Sequence, residues 1–567
     1  MAAGRASYEI QVMKDGRWST ESVRDEEKDA VLLARRFLTD KKCEGAKVVR
    51  NWTRADGKIT ETEVFAQQQS VREDGEIRIA QVDAAPAKCE APDDYVGLQS
   101  RVMMNRLFRN YMEKVFVTPT ELIHNYKELK RLQDKDTLLP SAVDRVAFLQ
   151  TKEGEQDSRS RRDEIFKEVD HISARARRAD GMTLPKLNGC FREMYDKVAG
   201  LAEADVDADY LAMVVLSRDL VNVRNWVGKL DRLCRLAVEE GDPHSLQLLD
   251  GVIADVLGAN IVQEILGWQP SLAAAIGRMF DLAEGNMPTD GSEAAESVDM
   301  LNRLFKEHKL PASRLCMIDR AHRQLRSANP LYRSDASKEL EAFGQVVLRV
   351  LTPAGLLFGP ETAEALTTRY TRMVVEGGAA GRRAAIIGVF NALPDRAYGL
   401  MYLCELAATD FAAEHLDDIV AALDRVYDAR GLSQLCVRSL PPKERMMRAT
   451  NAHKVAMASV FPDEIKIKLA DHIDGVLERY LIDEQIVEKL DHQDSPLRDR
   501  AVRLVQFCAA GVLPEGRAMT RARQRILKLL RQANFDAHFV DGIDDPVKAQ
   551  KTLRDFHQLL VRAGFGG

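Results

Sequence analysis

At 567 residues, 45% hydrophobic and 30% charged, the chain has ample apolar material for a folded body and is too long for one ordinary core. A prior of about 150 residues per domain gives roughly three or four compact units, unless a helical array relaxes the count. The net charge of -6 is small for this length, which excludes a global field drawing the molecule to nucleic acid or membrane; such binding would need a local patch.

In chain order, residues 1–82 differ in kind from the rest. The stretches YEIQVMKDGRWSTES and AKVVRNWTRADGKITETEVF each set an Asp-Gly pair between β-prone runs, a strong hairpin signal. Between them, RDEEKDAVLLARRFLTDKK places Ala30, Leu33, Phe37 and Leu38 on one helical face. A third pair, Asp74-Gly75, precedes EIRIAQV, which reads as an added strand. A small α/β domain of hairpin, helix and hairpin is expected, with four or five strands. One helix covers one sheet face, so the other, with Trp18 or Trp52 on either side, is a docking surface, meets a helical neighbour or meets water.

Residues 83–98 form an Ala/Pro-rich linker, after which the chain reads as helical to its end, with no strand expected beyond residue 98. The mainly α remainder divides into helical domains at 99–284 and 298–567, separated by the polar linker 285–297; Pro441-Pro442 reads as a bend. Helix starts recur at Thr118-Pro119-Thr120-Glu121, Ser495-Pro496 and Asp545-Pro546. Apolar periodicity follows, as in Leu122, Tyr126, Leu129 and Leu132. No fixed-period repeat aligns, leaving an irregular helical array or stacked bundles. The eight cysteines lie far apart without a CxxC pair, and no run of about 18 apolar residues occurs. The N-terminal residues lack an apolar signal core, so a cytoplasmic protein without a membrane span is expected.

Chemical motifs fail on inspection. Asp205, Asp207 and Asp209 alternate as in a calcium loop, but Tyr210 and Leu216 stand where that loop needs Gly and Glu, so helix-start acids are the better reading. Gly377, Gly378 and Gly381 lack the strand and Lys-Ser/Thr of a phosphate loop and read as a helix-helix turn; Arg382 and Arg383 remain possible anion contacts. His322, in IDRAHRQLRSANP, resembles the exposed histidine of phosphotransfer bundles, but Leu325 follows one position late for that pattern. Glu168 and His171 make half of a dimetal carboxylate motif, and no second Glu-x-x-His completes it. No metal, cofactor or catalytic residue is therefore assigned.

Two basic stretches remain. Arg159, Arg161, Arg162, Arg175, Arg177 and Arg178 are interleaved with acids and read as a solvated helix. In RAMTRARQRILKLLRQANFD, Arg517, Arg521, Arg525 and Lys528 fall on one helical face, with Met519, Ala522, Ile526, Leu529 and Leu530 opposite. No internal acid relieves the repulsion, so an acidic surface is expected to face this stripe. It is Asp541, Asp544 and Asp545 folding back, an acidic or phosphorylated partner, or nucleic-acid backbone, the last disfavoured by the absence of interleaved aromatics. The expectation is a non-enzymatic interaction or scaffold protein docking an acidic partner through this cationic helix. RNA binding and phosphotransfer signalling are the alternatives.

Overall fold

A computed structural model describes residues 5–14, 17–39, 45–53, 59–68, 77–82, 87–135, 137–152, 156–203, 205–289, 291, 293–374 and 377–565. The protein is mainly α, with a small α/β unit before a large helical region. Two compact units are present, Met1–Arg78 and Ile79–Gly567.

In the first unit, β1 (Arg5–Lys14), β2 (Arg17–Arg24), β3 (Gly45–Thr53) and β4 (Ile59–Gln68) form an antiparallel sheet in the order β2-β1-β3-β4. The Glu27–Thr39 helix connects β2 to β3 and lets them flank β1. Ala30, Ala34 and Leu38, four residues apart, bury one stripe of this helix against Tyr8, Ile10, Val12, Ala46 and Val48. Leu33 and Phe37 are only half-buried beside that stripe, because Ala34 takes the central position. Elsewhere on the sheet, Glu9 accepts hydrogen bonds from Thr20, from Gln11 at 3.1 Å and from Asn51 at 3.2 Å, which hold its carboxyl below the usual range. The three Asp-Gly turns and the Trp18 side chain lie outside the described residues.

The expected added strand does not form over residues 77–82. Ala80 N–H instead donates to the Leu107 carbonyl at 2.9 Å, and the Val82 carbonyl accepts from Arg145 Nε at 2.9 Å. A two-residue hairpin, Leu351–Thr352 with Gly355–Leu356, is present where no strand was expected.

The helical unit is built largely by packing each helix on others near it in sequence. Pro243–Gly258 packs on Pro311–Arg326, which also meets Leu272–Ala283 and Pro360–Met373; the sequence continues through Arg396–Ala407, Pro442–Ala458, Asp463–Asp483 and Arg517–Leu530. Helix lengths vary, so no constant period marks the sequence. The polar stretch 285–297 lies inside this unit, where Met287 N–H donates to Asn302 Oδ1 at 3.1 Å and Asn302 Nδ2 donates to the Met287 carbonyl at 2.8 Å. Thr118 and Glu121 close the expected capping box of Pro119–His124. That helix stops after one turn, and Asn125 caps a second, Tyr126–Gln133, dividing the periodic run. Asp545 caps Pro546–Leu560 as expected, whereas Ser495 makes no side-chain cap for Leu497–Ala509.

Pro119–His124 is entirely buried, so its polar groups need internal partners. The Glu121 carboxylate pairs with Lys229 Nζ, both side chains being 0% exposed, and Lys229 also donates to the Leu220 carbonyl at 2.9 Å. Burial pushes Glu121 up and Lys229 down. Asp255 accepts from Thr120 N–H at 3.1 Å and from its hydroxyl at 2.5 Å, while Arg101 lies 3.4 Å from the same carboxylate. Gly251 and Gly258 make this approach possible: an added Cβ would sit 2.6 Å from Arg101 Nη2 or 2.3 Å from Asn105 Nδ2. Those two side chains, one turn apart on Leu98–Leu107, thus lie against the Pro243–Gly258 helix.

Burial holds His124 down to about 3 and His322 down to about 4. Both are depressed below the unfolded value, so the unfolded chain takes up protons first as acid is added. Their stabilising contribution is present above about pH 6.5 and is lost as pH falls toward these folded values. Acid titration of the thermal midpoint is expected to show this loss, and His322→Gln is expected to flatten part of it. An unchanged profile in that variant would assign the acid response to other groups.

Candidate functional site

The basic Arg517–Leu530 helix buries Met519, Ala522, Ile526 and Leu529 of the apolar face read from its sequence, and Ala518 besides, while Leu530 is half-buried. Its N-terminus has Gly516 and no side-chain cap of its own. Asp474, on Asp463–Asp483, supplies the acceptors, taking Arg517 N–H at 2.6 Å and Ala518 N–H at 3.1 Å. Glycine is required by space here, since a Cβ at position 516 would lie 2.6 Å from the Asp474 carboxylate.

The arginines of this helix find acids within the chain. Arg517 lies 2.9 Å from Asp471, 3.6 Å from Asp474 and 3.8 Å from Glu478; Arg521 lies 3.3 Å from Glu488; Arg525 pairs with buried Asp491, which Arg500 also meets at 2.7 Å. Arg523 forks onto Glu515 at 2.6 and 2.7 Å and donates to the Ala563 carbonyl at 3.2 Å. Exposed Lys528 has no ionic partner among the described residues. Among those residues, none of the Asp541, Asp544 and Asp545 carboxylates pairs with the stripe; Asp545 caps the last helix instead. The relevant acids precede the stripe in sequence. Asp471, Asp474 and Glu478, at helical spacing, surround Arg517, while Glu488 and Asp491 take Arg521 and Arg525; this run of acids upstream is the signal the sequence offers.

The other motifs resolve structurally. Asp207 caps Ala208–Leu220 and pairs with Arg175 at 2.6 Å; Asp205 and Glu203 receive Arg178; Asp209 lies 2.7 Å from His244. Arg161 and Arg162 pair close in sequence with Glu164 and Asp163. Arg382 and Arg383 pair with Glu414 and Asp418. Glu168 and His171 are 3.4 Å apart, and no group of three metal-ligating side chains occurs among the described residues. His322 is buried, 2.8 Å from Thr362 Oγ1 and edge-on to Phe280. The exposure a phosphotransfer histidine needs is therefore lacking.

A further basic cluster gathers arginines that are distant in sequence. A cavity of about 250 Å³ lies between Leu98–Leu107, Pro243–Gly258 and Pro311–Arg326, lined by Arg106, Arg109, Arg320, Arg323, Asp319 and Asn105 among others. Arg320 Nη1 donates to the carbonyls of Leu257, Gly258 and Ala259 at 3.1, 3.3 and 2.7 Å, capping the end of Pro243–Gly258. Arg106 and Arg323 share Asp319, at 3.3 and 3.4 Å, and Arg109 meets Glu113 at 3.0 Å and also donates to Asn260. Four guanidinium groups thus face two carboxylates, and Arg106 Nε is buried without a hydrogen bond. Burial, with Arg109 and Arg323 nearby, pushes Arg320 down to about 10; Arg323 is lowered by burial, Arg106 and Arg109 against the pull of Asp319. Such an arrangement favours an incoming anion. Its two arginine pairs lie more than two hundred residues apart, Arg106 standing 213 residues before Asp319, so no local pattern announces it.

A larger, mainly apolar cavity of about 690 Å³ adjoins it, sharing Val102 and Arg106. It separates Leu98–Leu107 from the helical hairpin Leu138–Thr151 and Ser158–Asp180, which has its own small core of Val143, Ala147 and Ile165. Among the described residues, no helix is long and apolar enough to cross a membrane. No family model matches the chain, and no curated protein or solved structure matches it.

Proposed function

We propose that the protein is a non-enzymatic interaction platform whose helical unit docks an acidic or phosphorylated protein segment. The observation that carries this reading is the cavity lined by Arg106, Arg109, Arg320 and Arg323, whose ion-pair partners among the described residues are Asp319 and Glu113. Guanidinium forks suit carboxylate and phosphate oxygens, and partial burial strengthens their attraction relative to a solvated surface. The arginines of the C-terminal helix are less available because acids of the same chain already occupy them. Docking there would exchange existing ion pairs for new ones, a near-balanced trade. The acidic partner, expected from the charge stripe at Arg517, Arg521, Arg525 and Lys528, is therefore assigned in this reading to the arginine cavity.

The test uses the full chain and two fluorescent probe peptides, one oligoglutamate and one carrying phosphoserine. Binding is expected to weaken with salt and to fall by about tenfold or more in Arg109→Ser/Arg323→Ser, in line with the loss of charge-assisted hydrogen bonds. Arg517→Ser/Arg521→Ser is expected to retain the affinity. Equal binding by wild type and the cavity variant would overturn the reading, as would recovery only of nuclease-sensitive nucleic acid from lysate.

A further inference from the structure

We propose that the apolar cavity beside Leu98–Leu107 binds a small amphiphile, an aliphatic chain ending in one anionic group, with its head on Arg106. This goes beyond protein docking, and the two cavities share Val102 and Arg106. At about 690 Å³ this half-open space lies in the several-hundred-Å³ range of small-ligand sites. Met103, Leu107, Val143, Val146, Ile165 and Ile172 contribute to its walls. Left unfilled, such walls forgo dispersion contacts, and Met103 can adjust to an irregular chain better than a branched residue could.

Polar groups around the cavity locate the head. Arg161 is already committed to Gln150 Oε1 at 2.8 Å and Glu164 Oε2 at 2.9 Å, and Lys88 donates to Gln156 at 2.7 Å. Asp94 accepts two backbone N–H groups, from Glu90 and Ala91, each at 2.9 Å. Arg106 differs: its Nε is unbonded, its ion partner is Asp319 at 3.3 Å, and that carboxylate is shared with Arg323. Arg109, Arg320 and Arg323 beyond it add positive potential at this end of the apolar cavity. A chain between the helices would thus bring a terminal carboxylate or phosphate to the cation with donors to spare. A free fatty acid and a single-chain phospholipid share that chemistry.

The proposal is tested by titrating full-length protein with the fluorescent fatty acid cis-parinaric acid and its methyl ester, followed by displacement with palmitate or lysophosphatidic acid. Saturable uptake of the acid is expected, with the ester bound about tenfold more weakly; the better competitor identifies the head-group source. Val146→Trp fills the apolar cavity without touching the arginine cavity, and it should reduce uptake by about tenfold or more. Arg106→Gln should weaken the acid and leave the ester unchanged, a pattern that general loss of folding would not give. No saturable uptake by wild type, equal binding of acid and ester, or full uptake by folded Val146→Trp would overturn it. Val146 does not line the arginine cavity, so that result leaves the docking proposal standing or falling separately.

Discussion

Lys229→Met is expected to be among the most destabilising single substitutions in the helical unit, at about 3–5 kcal/mol, because it leaves a fully buried carboxylate without its cation. The measurement is the shift in urea midpoint by far-UV circular dichroism. Glu121 sits in a one-turn helix buried on all sides, so water cannot replace the ammonium without opening the packing. Its carboxyl is raised by burial even with Lys229 present. In the variant, protonation therefore favours the folded state: the deficit should shrink as pH falls through the raised folded value toward the ordinary carboxylate range, and grow as pH rises. Lys229→Met/Glu121→Leu removes both charges and should recover most of the loss. A single variant as stable as wild type, or a double variant no better than the single, would refute an ion pair whose breakage dominates the cost.

The second large effect concerns Asp474→Ala, expected to cost about 2–3 kcal/mol. This combines loss of an N-cap with two backbone donors left short of acceptors in a packed site. Asp474→Asn keeps an acceptor oxygen and should lose markedly less. The change should concentrate at the C-terminal end, where hydrogen exchange of Arg517–Leu530 would accelerate before that of Pro243–Gly258. Uniform acceleration across both helices would instead mean that the cap stabilises the unit only globally. Gly516→Ala provides an independent route to the same cap, since its added carbon would displace the Asp474 carboxylate.

Local signals carried much of the architecture. The Ala30–Leu38 face, the Thr118 capping box, Asp545-Pro546 and the apolar face of the terminal helix were legible because each lies within a few residues. Residues 77–82 misled because β-prone composition does not specify a pairing partner, and Leu107 and Arg145 offered other hydrogen bonds. The cationic stripe of Arg517–Leu530 is legible in the sequence, but the nearby downstream acids Asp541, Asp544 and Asp545 do not pair with it among the described residues. Its partners lie upstream: Asp471, Asp474 and Glu478 for Arg517, Glu488 for Arg521 and Asp491 for Arg525. The arginine cavity was harder to see: Arg320 and Arg323 flank the histidine that drew attention, while Arg106 and Arg109 are distant in sequence. Convergence of charges across three helices is a property of the tertiary fold, and no single stretch encodes it.

Asp474 is not alone in completing a later helix. Asp250, within Pro243–Gly258, accepts N–H groups from Ala312 and Ser313, sixty-two and sixty-three residues downstream, at 2.7 and 2.8 Å. In each case the acceptor is synthesised first and the donors afterwards. A growing chain therefore exposes the carboxylate on a helix that can already form, and the later segment arrives to a prepared docking point. Asp255 works the other way, accepting Thr120 N–H from a segment 135 residues upstream, so such carboxylates tie distant parts of the helical unit together in both directions. A chain halted before Arg517 would leave the Asp474 carboxylate without those two donors.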